Sequence, residues 1–258
     1  IKMDSQRLIL VDGSGYIFRA FYALPPMSRG DGTPVNAVFG FTSMLLKLSE
    51  DMQGENILVV FDAARTTFRN TIYKEYKANR SDPPEELVPQ FDLIKEATTA
   101  IGLKSLEVEN YEADDIIATY VKIAKKENIE TLIISSDKDL MQLIQDGVSL
   151  HDPMKNIKIG PEAVLEKFGV TPDKVIDVQA LAGDTSDNVP GVPGIGVKTA
   201  SQLINEFGSL ENLLVNASSI KQEKRRESLL NNAELARISK KLVSLFSDVP
   251  IPYKISDL

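Results

Sequence analysis

Apolar, β-branched runs alternate with stretches of helical spacing along the first two thirds of this chain. Leu8 to Val11, Ile57 to Phe61 and Leu132 to Ile134 are continuous apolar runs of the length expected for strands buried on both faces. Extended to their polar ends, they predict strands over Leu8 to Asp12, Ile57 to Asp62 and Thr131 to Ser135, with a short strand over Leu103 to Val108. The intervening segments predict helices over Tyr16 to Ala23, Val35 to Glu50, Glu85 to Ala100 and Glu112 to Lys126. This alternation implies a three-layer α/β sheet. Val148 to His151 and Ile157 to Ile159 read as an edge hairpin, and Gly160-Pro161 opens a helix that Gly169 closes. From Thr171-Pro172 onward the pattern turns helical, which places a soft boundary between a core of residues 1–170 and a helical region of residues 171–258. Within the latter, Gly183 to Gly196 is dense in Gly, Pro, Asp and Asn, and Val197 to Phe207 reads as a helix ended by Gly208.

Three of the predicted strands end on or just before acids. Nine carboxylates fall in five clusters: Asp12, Asp62, Glu112/Asp114/Asp115, Asp137/Asp139 and Asp184/Asp187. In an open parallel sheet the C-terminal strand edge is where sites form, so these acids converge if the strands are parallel. Their mutual repulsion then calls for cations. Each cluster also has a plain reading: first-turn acids favour the helix dipole, a strand-end Asp often caps the next helix, and Asp184 and Asp187 suit either one face of a helical turn or an Asx turn. Shared placement of separate clusters favours the metal reading. Asp114 and Asp115 point roughly 100° apart on a helix, so they serve neighbouring ions or one ion and a bound water.

Composition narrows the metal. There are no cysteines and one histidine, His151, read here as a packed strand residue, so oxygen ligands dominate and Mg²⁺ or Mn²⁺ is favoured over zinc. The net charge of −8 loses its force against nucleic acid once the nine clustered acids are set aside, leaving 28 acidic against 29 basic residues. No apolar stretch approaches the roughly 18 residues of a membrane span. The start, Ile1-Lys2-Met3-Asp4, carries no signal pattern, and a cytoplasmic location is expected.

Two further constellations suit DNA. Arg65, Arg69, Lys74, Lys77 and Arg80 face a single acid, Glu75, and are interleaved with Phe68, Tyr73 and Tyr76; cations satisfy phosphates and flat rings stack on bases. A solvated helical face is the plainer alternative. Gly191-Val192-Pro193-Gly194-Ile195-Gly196 followed by Val197-Lys198-Thr199 is a glycine hairpin opening a helix, which presents backbone N–H groups to a strand phosphate. A P-loop is disfavoured because Val197 separates the last Gly from Lys198 and no strand precedes.

Taken together, Val11-Asp12-Gly13-Ser14, Arg19-Ala20-Phe21-Tyr22, Phe61-Asp62-Ala63, Tyr76-Lys77-Ala78-Asn79-Arg80, Glu112-Ala113-Asp114-Asp115, Asp137-Lys138-Asp139 and Gly183 to Gly194 resemble the 5′-nuclease (flap endonuclease) family. The likeness is nearest to the N-terminal 5′-3′ exonuclease domains of bacterial DNA polymerases I. It implies a PIN-like core with a helical arch and a C-terminal helix-hairpin-helix region that grips duplex DNA. By the same resemblance, Asp12, Asp62, Glu112, Asp114, Asp137, Asp139 and Asp184 hold or organise two divalent ions, with Asp115 and Asp187 close by. Lys77 and Arg80 approach the scissile phosphate, and the hairpin binds K⁺ through main-chain carbonyls while contacting the strand. The departures, Ser136 and Val197 at positions often occupied by Gly and by a charged residue, remove no ligand.

The expected activity is metal-dependent hydrolysis at 5′ ends and 5′ flaps of nicked or branched DNA, serving Okazaki primer removal and repair, with RNA primer–DNA hybrids as further substrates. Tyr76 is expected to stack on an unpaired base, while Arg65, Arg69, Gly191, Val192, Gly194, Gly196, Lys198 and Thr199 contact DNA. A monomer is expected, fused in its native form to a polymerase, and the Ile1-Lys2 start suggests a trimmed fragment or a cloning remnant. A non-catalytic branched-DNA-binding relative is the alternative. A haloacid-dehalogenase-type phosphatase fails because Ser14 stands where its second Asp is needed, and a PIN-type ribonuclease would not need the glycine hairpin.

Overall fold

The structure is a computed structural model and describes residues 6–258. The Ile1-Lys2 start lies outside the described residues. In chain order, β1 (Leu8–Asp12), α1 (Gly13–Ala23), α2 (Asn36–Asp51), β2 (Asn56–Val60), α3 (Arg69–Ile72), α4 (Gln90–Ala100), β3 (Lys104–Leu106), α5 (Ala113–Lys126) and β4 (Thr131–Ile134) form the first part. They are followed by β5 (Val148–Asp152), β6 (Ile157–Ile159), α6 (Pro161–Phe168), α7 (Val175–Ala182), α8 (Val197–Phe207), α9 (Leu210–Val215), α10 (Glu223–Asn231) and α11 (Ala233–Val243).

The strands make one sheet in the order β3-β2-β1-β4-β5-β6, parallel throughout except for β6. Strand periodicity sorts the apolar residues to its two faces. Ile9, Val11, Ile57, Val59, Leu132 and Ile134 pack with Ala20, Phe41, Leu45 and Ile94 of α1, α2 and α4. Leu8, Leu10, Leu58, Val60, Ile133 and Leu150 pack against Ile116, Ile117 and Tyr120 of α5, in a core continuous with the C-terminal helices. Because both faces are covered, the strands read as unbroken apolar runs, and the paired register of Val11 with Val59 and Ile134 brings their C-terminal ends to one edge.

Local signals account for several boundaries. Pro161 stands in the first turn of α6, and Gly169 ends it with φ 69°. Lys125 and Lys126 complement the dipole in the last turn of α5. The helix expected from Glu85 starts only at Gln90. Pro89 has no N–H to give and its ring would strike the carbonyl four residues back, so the chain turns through 85–89 before the helix begins. The strand expected over Leu103 to Val108 is confined to three residues on the sheet edge.

The basic stretch 65–80 is mostly turn, with α3 its only helix. It does not stand free of the body. Tyr76, Ile72 and Tyr73 pack with Val189, Leu242, Val243, Ile176 and Ile238, and Arg65 closes its base by donating to the carbonyls of Arg80 and Ser81 at 3.0 and 2.6 Å.

Candidate metal centre

Each strand end delivers its acid to the same place. Asp12 is the last residue of β1, and Asp137 follows β4 by way of Ser135 and Ser136. Asp114 lies in the first turn of α5. Carboxylate oxygens of Asp12, Asp114 and Asp137 come within 4.8 Å of one another, and those of Asp139, Asp184 and Asp187 form a second set of the same size. The second set depends on a compact turn in which Asp184 and Val189 exchange main-chain hydrogen bonds of 3.0 and 2.8 Å. Asp184 also accepts from the N–H of Ser186 at 3.0 Å, an Asx turn rather than a helical face. Gly183 and Gly191 back onto each other at the neck of this turn: both have positive φ, and a Cβ on Gly191 would lie 2.7 Å from the Cα of Gly183.

The packing of these acids raises their proton affinity. Burial, with Asp62 adding, pushes Asp12 up to about 6 against the hydrogen bond from Ser135. Burial and then Asp12 push Asp137 up to about 6, while burial, Asp137 and Asp187 push Asp139 up to about 7. Asp114 is raised well above the carboxylate range by burial and by Asp137, Asp12 and Asp139. Repulsion of Asp139 by Asp137, and of Asp114 by Asp139, makes the two sets electrostatic neighbours. A site of this kind is tolerable at neutral pH when cations neutralise it. Its donors are carboxylate oxygens alone, which suit a hard divalent ion.

Other members carry their own cations. Burial works to raise Asp184, but Ser186 and Lys138, the latter 3.2 Å away, hold it low. Burial is likewise outweighed at Glu112 by Lys77 and Arg69. Asp62 faces solvent on its outer side, yet the walls around its carboxyl desolvate it and raise it; it accepts from the N–H of Ala113 at 2.6 Å. Lys77 has positive φ, donates its N–H to the carbonyl of Asp187 at 2.8 Å and pairs with Glu112 through its ammonium. Arg80 pairs with Asp187. The basic stretch therefore reaches the acidic edge, and a cleft of about 370 Å³ opens there between Asp62, Arg65, Lys77, Arg80, Phe18 and Phe91.

Several expectations are corrected. Arg69 is 1% exposed and cannot meet DNA: its guanidinium donates to Asp115 at 2.7 Å through two nitrogens, to Glu112 at 2.5 Å, and to the carbonyls of Leu242 and Ser244. Asp115, fully buried in that pair, is a structural anion and belongs to neither carboxylate set. Tyr76 is buried and donates its hydroxyl to Glu112 at 3.1 Å, so it offers no ring face to a base. Val192 packs in the core, and the N–H of Gly191 is used by Ser239 at 2.9 Å. What remains of the hairpin at the surface is Pro193, Gly194 and Gly196, with Lys198 exposed and Thr199 half-buried at the start of α8.

Four residues were given no site role by the sequence. Ser135 donates to Asp12 at 2.8 Å, Gln179 to Asp139 at 2.8 Å, Lys138 pairs with Asp184, and Arg19 lies 3.3 Å from the hydroxyl of Ser136 and 3.7 Å from Asp152. Gln179 had a signal: it is the only polar residue in the run Val178 to Ala182.

The chain is similar to known proteins both in sequence and in fold. Residues 7–169 match the family described as 5′-3′ exonuclease, N-terminal resolvase-like domain, and residues 170–258 that described as 5′-3′ exonuclease, C-terminal SAM fold. DNA polymerase I of Rhizobium leguminosarum is 53% identical over 97% of this chain and 26% of its own length; that of Bacillus subtilis is 42% identical over 99% and 29%. The chain thus spans under a third of the curated relatives it matches. Among solved structures, the bacteriophage T5 D15 protein co-crystallised with metal ions superposes with a TM-score of 0.80 at 24% identity, covering 93% of this chain and 90% of that one. Flap endonuclease-1 of Methanococcus jannaschii gives 0.62 at 17% identity over 97% and 81%. At those identities the likeness is one of fold, whereas the matches across both parts of the sequence are ones of descent: the chain belongs to the 5′-3′ exonuclease family.

Proposed function

We propose that this protein is a 5′-3′ exonuclease and 5′-flap endonuclease that hydrolyses DNA phosphodiester bonds with two divalent ions, Mg²⁺ or Mn²⁺. The observation that carries the reading is the pair of carboxylate sets, Asp12–Asp114–Asp137 at the sheet edge and Asp139–Asp184–Asp187 coupled to it through Asp139. When bound there, the ions supply a nucleophilic water at neutral pH and compensate charge on the leaving oxygen. The chain's own residues do the rest. Asp12, Asp114 and Asp137 would hold one ion and Asp139, Asp184 and Asp187 the other, with Asp62 and Glu112 at the rim. Lys77 and Arg80, now paired with Glu112 and Asp187, balance the charge of the reacting phosphate by exchanging one anion for another.

Residues 1–170 form the nuclease core and residues 171–258 the duplex-gripping region in this reading. The cleft beside Asp62, with Phe18, Phe91 and Arg65 on its walls, takes the single strand, since rings stack on bases and cations meet phosphates. Gly194, Gly196, Lys198 and Thr199 contact the duplex backbone, and the hairpin holds K⁺. Substrates are 5′ flaps, nicks and primer–DNA hybrids, met as a monomer in the cytoplasm at the nucleoid and, in a longer chain, beside a polymerase.

The decisive assay compares a 5′-flap duplex with a blunt duplex in Mg²⁺. Cleavage near the flap junction, abolished by EDTA, is expected. Equal cutting of both substrates would remove the junction argument, and no cutting of either would reject the enzyme.

A further inference from the structure

Gln179 is the residue in α7 that neither apolar packing nor surface solvation explains. It is 2% exposed, its side-chain N–H donates to Asp139 at 2.8 Å, and its Oε1 is buried with no hydrogen-bond partner among the described residues. An orphaned buried acceptor costs about 1–3 kcal/mol, so an amide retained here needs a use. Its main chain supplies part of one: the carbonyl of Gln179 accepts from the N–H of Gly183 at 2.8 Å, closing α7 just before the turn that carries Asp184 and Asp187. One residue thereby fastens both pieces of the second carboxylate set, the post-β4 segment through its side chain and the Asp184 turn through its backbone.

We infer that Gln179 is a positioning residue for a divalent ion held by Asp139, Asp184 and Asp187, orienting the Asp139 carboxylate and presenting its free Oε1 to water that enters with the ion. The inference rests on the two-ion reading above. Hydrogen bonds to a ligating carboxylate restrict its rotation, so less order must be created when the ion arrives. The first set has a different holder, Ser135 on Asp12, so loss of Gln179 acts chiefly on the second set.

The test is a Mn²⁺ titration of wild type, Gln179→Leu and Gln179→Met, with free Mn²⁺ counted by electron paramagnetic resonance and melting temperature followed without ions. Wild type is expected to bind two ions. Each variant is expected to keep one nearly unchanged and to weaken the other about 10- to 100-fold, while its ion-free melting temperature stays level or rises, because an apolar side chain removes the orphaned acceptor. Flap cleavage should follow, with a raised Mg²⁺ requirement and near-normal kcat at saturating Mg²⁺. A wild-type isotherm in both folded variants, or equal weakening of both ions, overturns the assignment. Wild type that binds no Mn²⁺ overturns the two-ion reading itself. If Gln179→Leu does not fold, the less branched Gln179→Met carries the comparison.

Discussion

Removing Arg69 should be among the most damaging single changes in this chain, although the residue touches no proposed substrate path. Its guanidinium makes five hydrogen bonds, all from a position with 1% exposure, and Asp115 opposite it has none of its surface in water. In Arg69→Met the Asp115 carboxylate keeps the N–H groups of Glu112 and Phe246, at 3.0 and 2.9 Å, but loses its counter-charge. The carbonyls of Leu242 and Ser244 lose their donor. Breaking a buried pair by deleting one partner costs about 3–5 kcal/mol. Deleting an exposed pair such as Lys122–Asp248, 2.7 Å apart but more than half in water, costs about 0–1 kcal/mol. At roughly 2–4 °C per kcal/mol for a chain of this size, Arg69→Met should melt on the order of 10 °C lower, with a lower urea midpoint and an unchanged slope. The compensated variant Arg69→Met with Asp115→Leu should recover most of that loss, because no charge is left unpaired. An Arg69→Met midpoint within about 1 kcal/mol of wild type would refute the reasoning, since the pair would then be behaving as if solvated.

Three further outcomes follow from the same coordinates. Gly191→Ala places a Cβ against the Gly183 backbone at a φ of 62°, so urea unfolding should show at least about 2 kcal/mol of lost stability, together with weaker ion binding at Asp184 and Asp187. Asp114→Asn should lower flap cleavage by about 100-fold or more yet raise the ion-free melting temperature at pH 8, since it deletes an acid held against Asp137 and Asp12. The ion-free protein should also lose stability as pH rises from about 4 to 7. Asp12, Asp137 and Asp139 bind protons more tightly folded than unfolded, so their contribution is complete below the unfolded value of 3.8 and vanishes through about 6 to 7. The acids titrate together; thermal melts from pH 4 to 8 in EDTA should fall, and saturating Mg²⁺ should flatten them.

The sheet and the carboxylate sets were legible because both follow from periodicities. A strand buried on two faces must be continuously apolar, so the first acid beyond it marks the C-terminal edge, and parallel register then brings Asp12 and Asp137 together without knowledge of any contact. The basic stretch carries no such rule. A cation among aromatics has the same sequence signature whether it faces a phosphate or a buried carboxylate, and what separates Arg69 from Arg65 is a pairing with Asp115 made across the fold. Half of that pairing was nonetheless visible from the other side. Asp115 precedes the apolar run Ile116-Ile117-Ala118 in a helix whose inner face is core, and a charge there must be neutralised by something equally buried. Gln179, set among Val178, Ala180 and Leu181, poses the same demand with a weaker dipole. In this chain the informative polar residues are therefore of two kinds: those that end apolar runs, which supply acids to the carboxylate sets, and those embedded in apolar helices, which pair with the first kind. Residues of the second kind each require a buried partner, which separates Arg69, held by Asp115, from the exposed cations and ties Gln179 to Asp139.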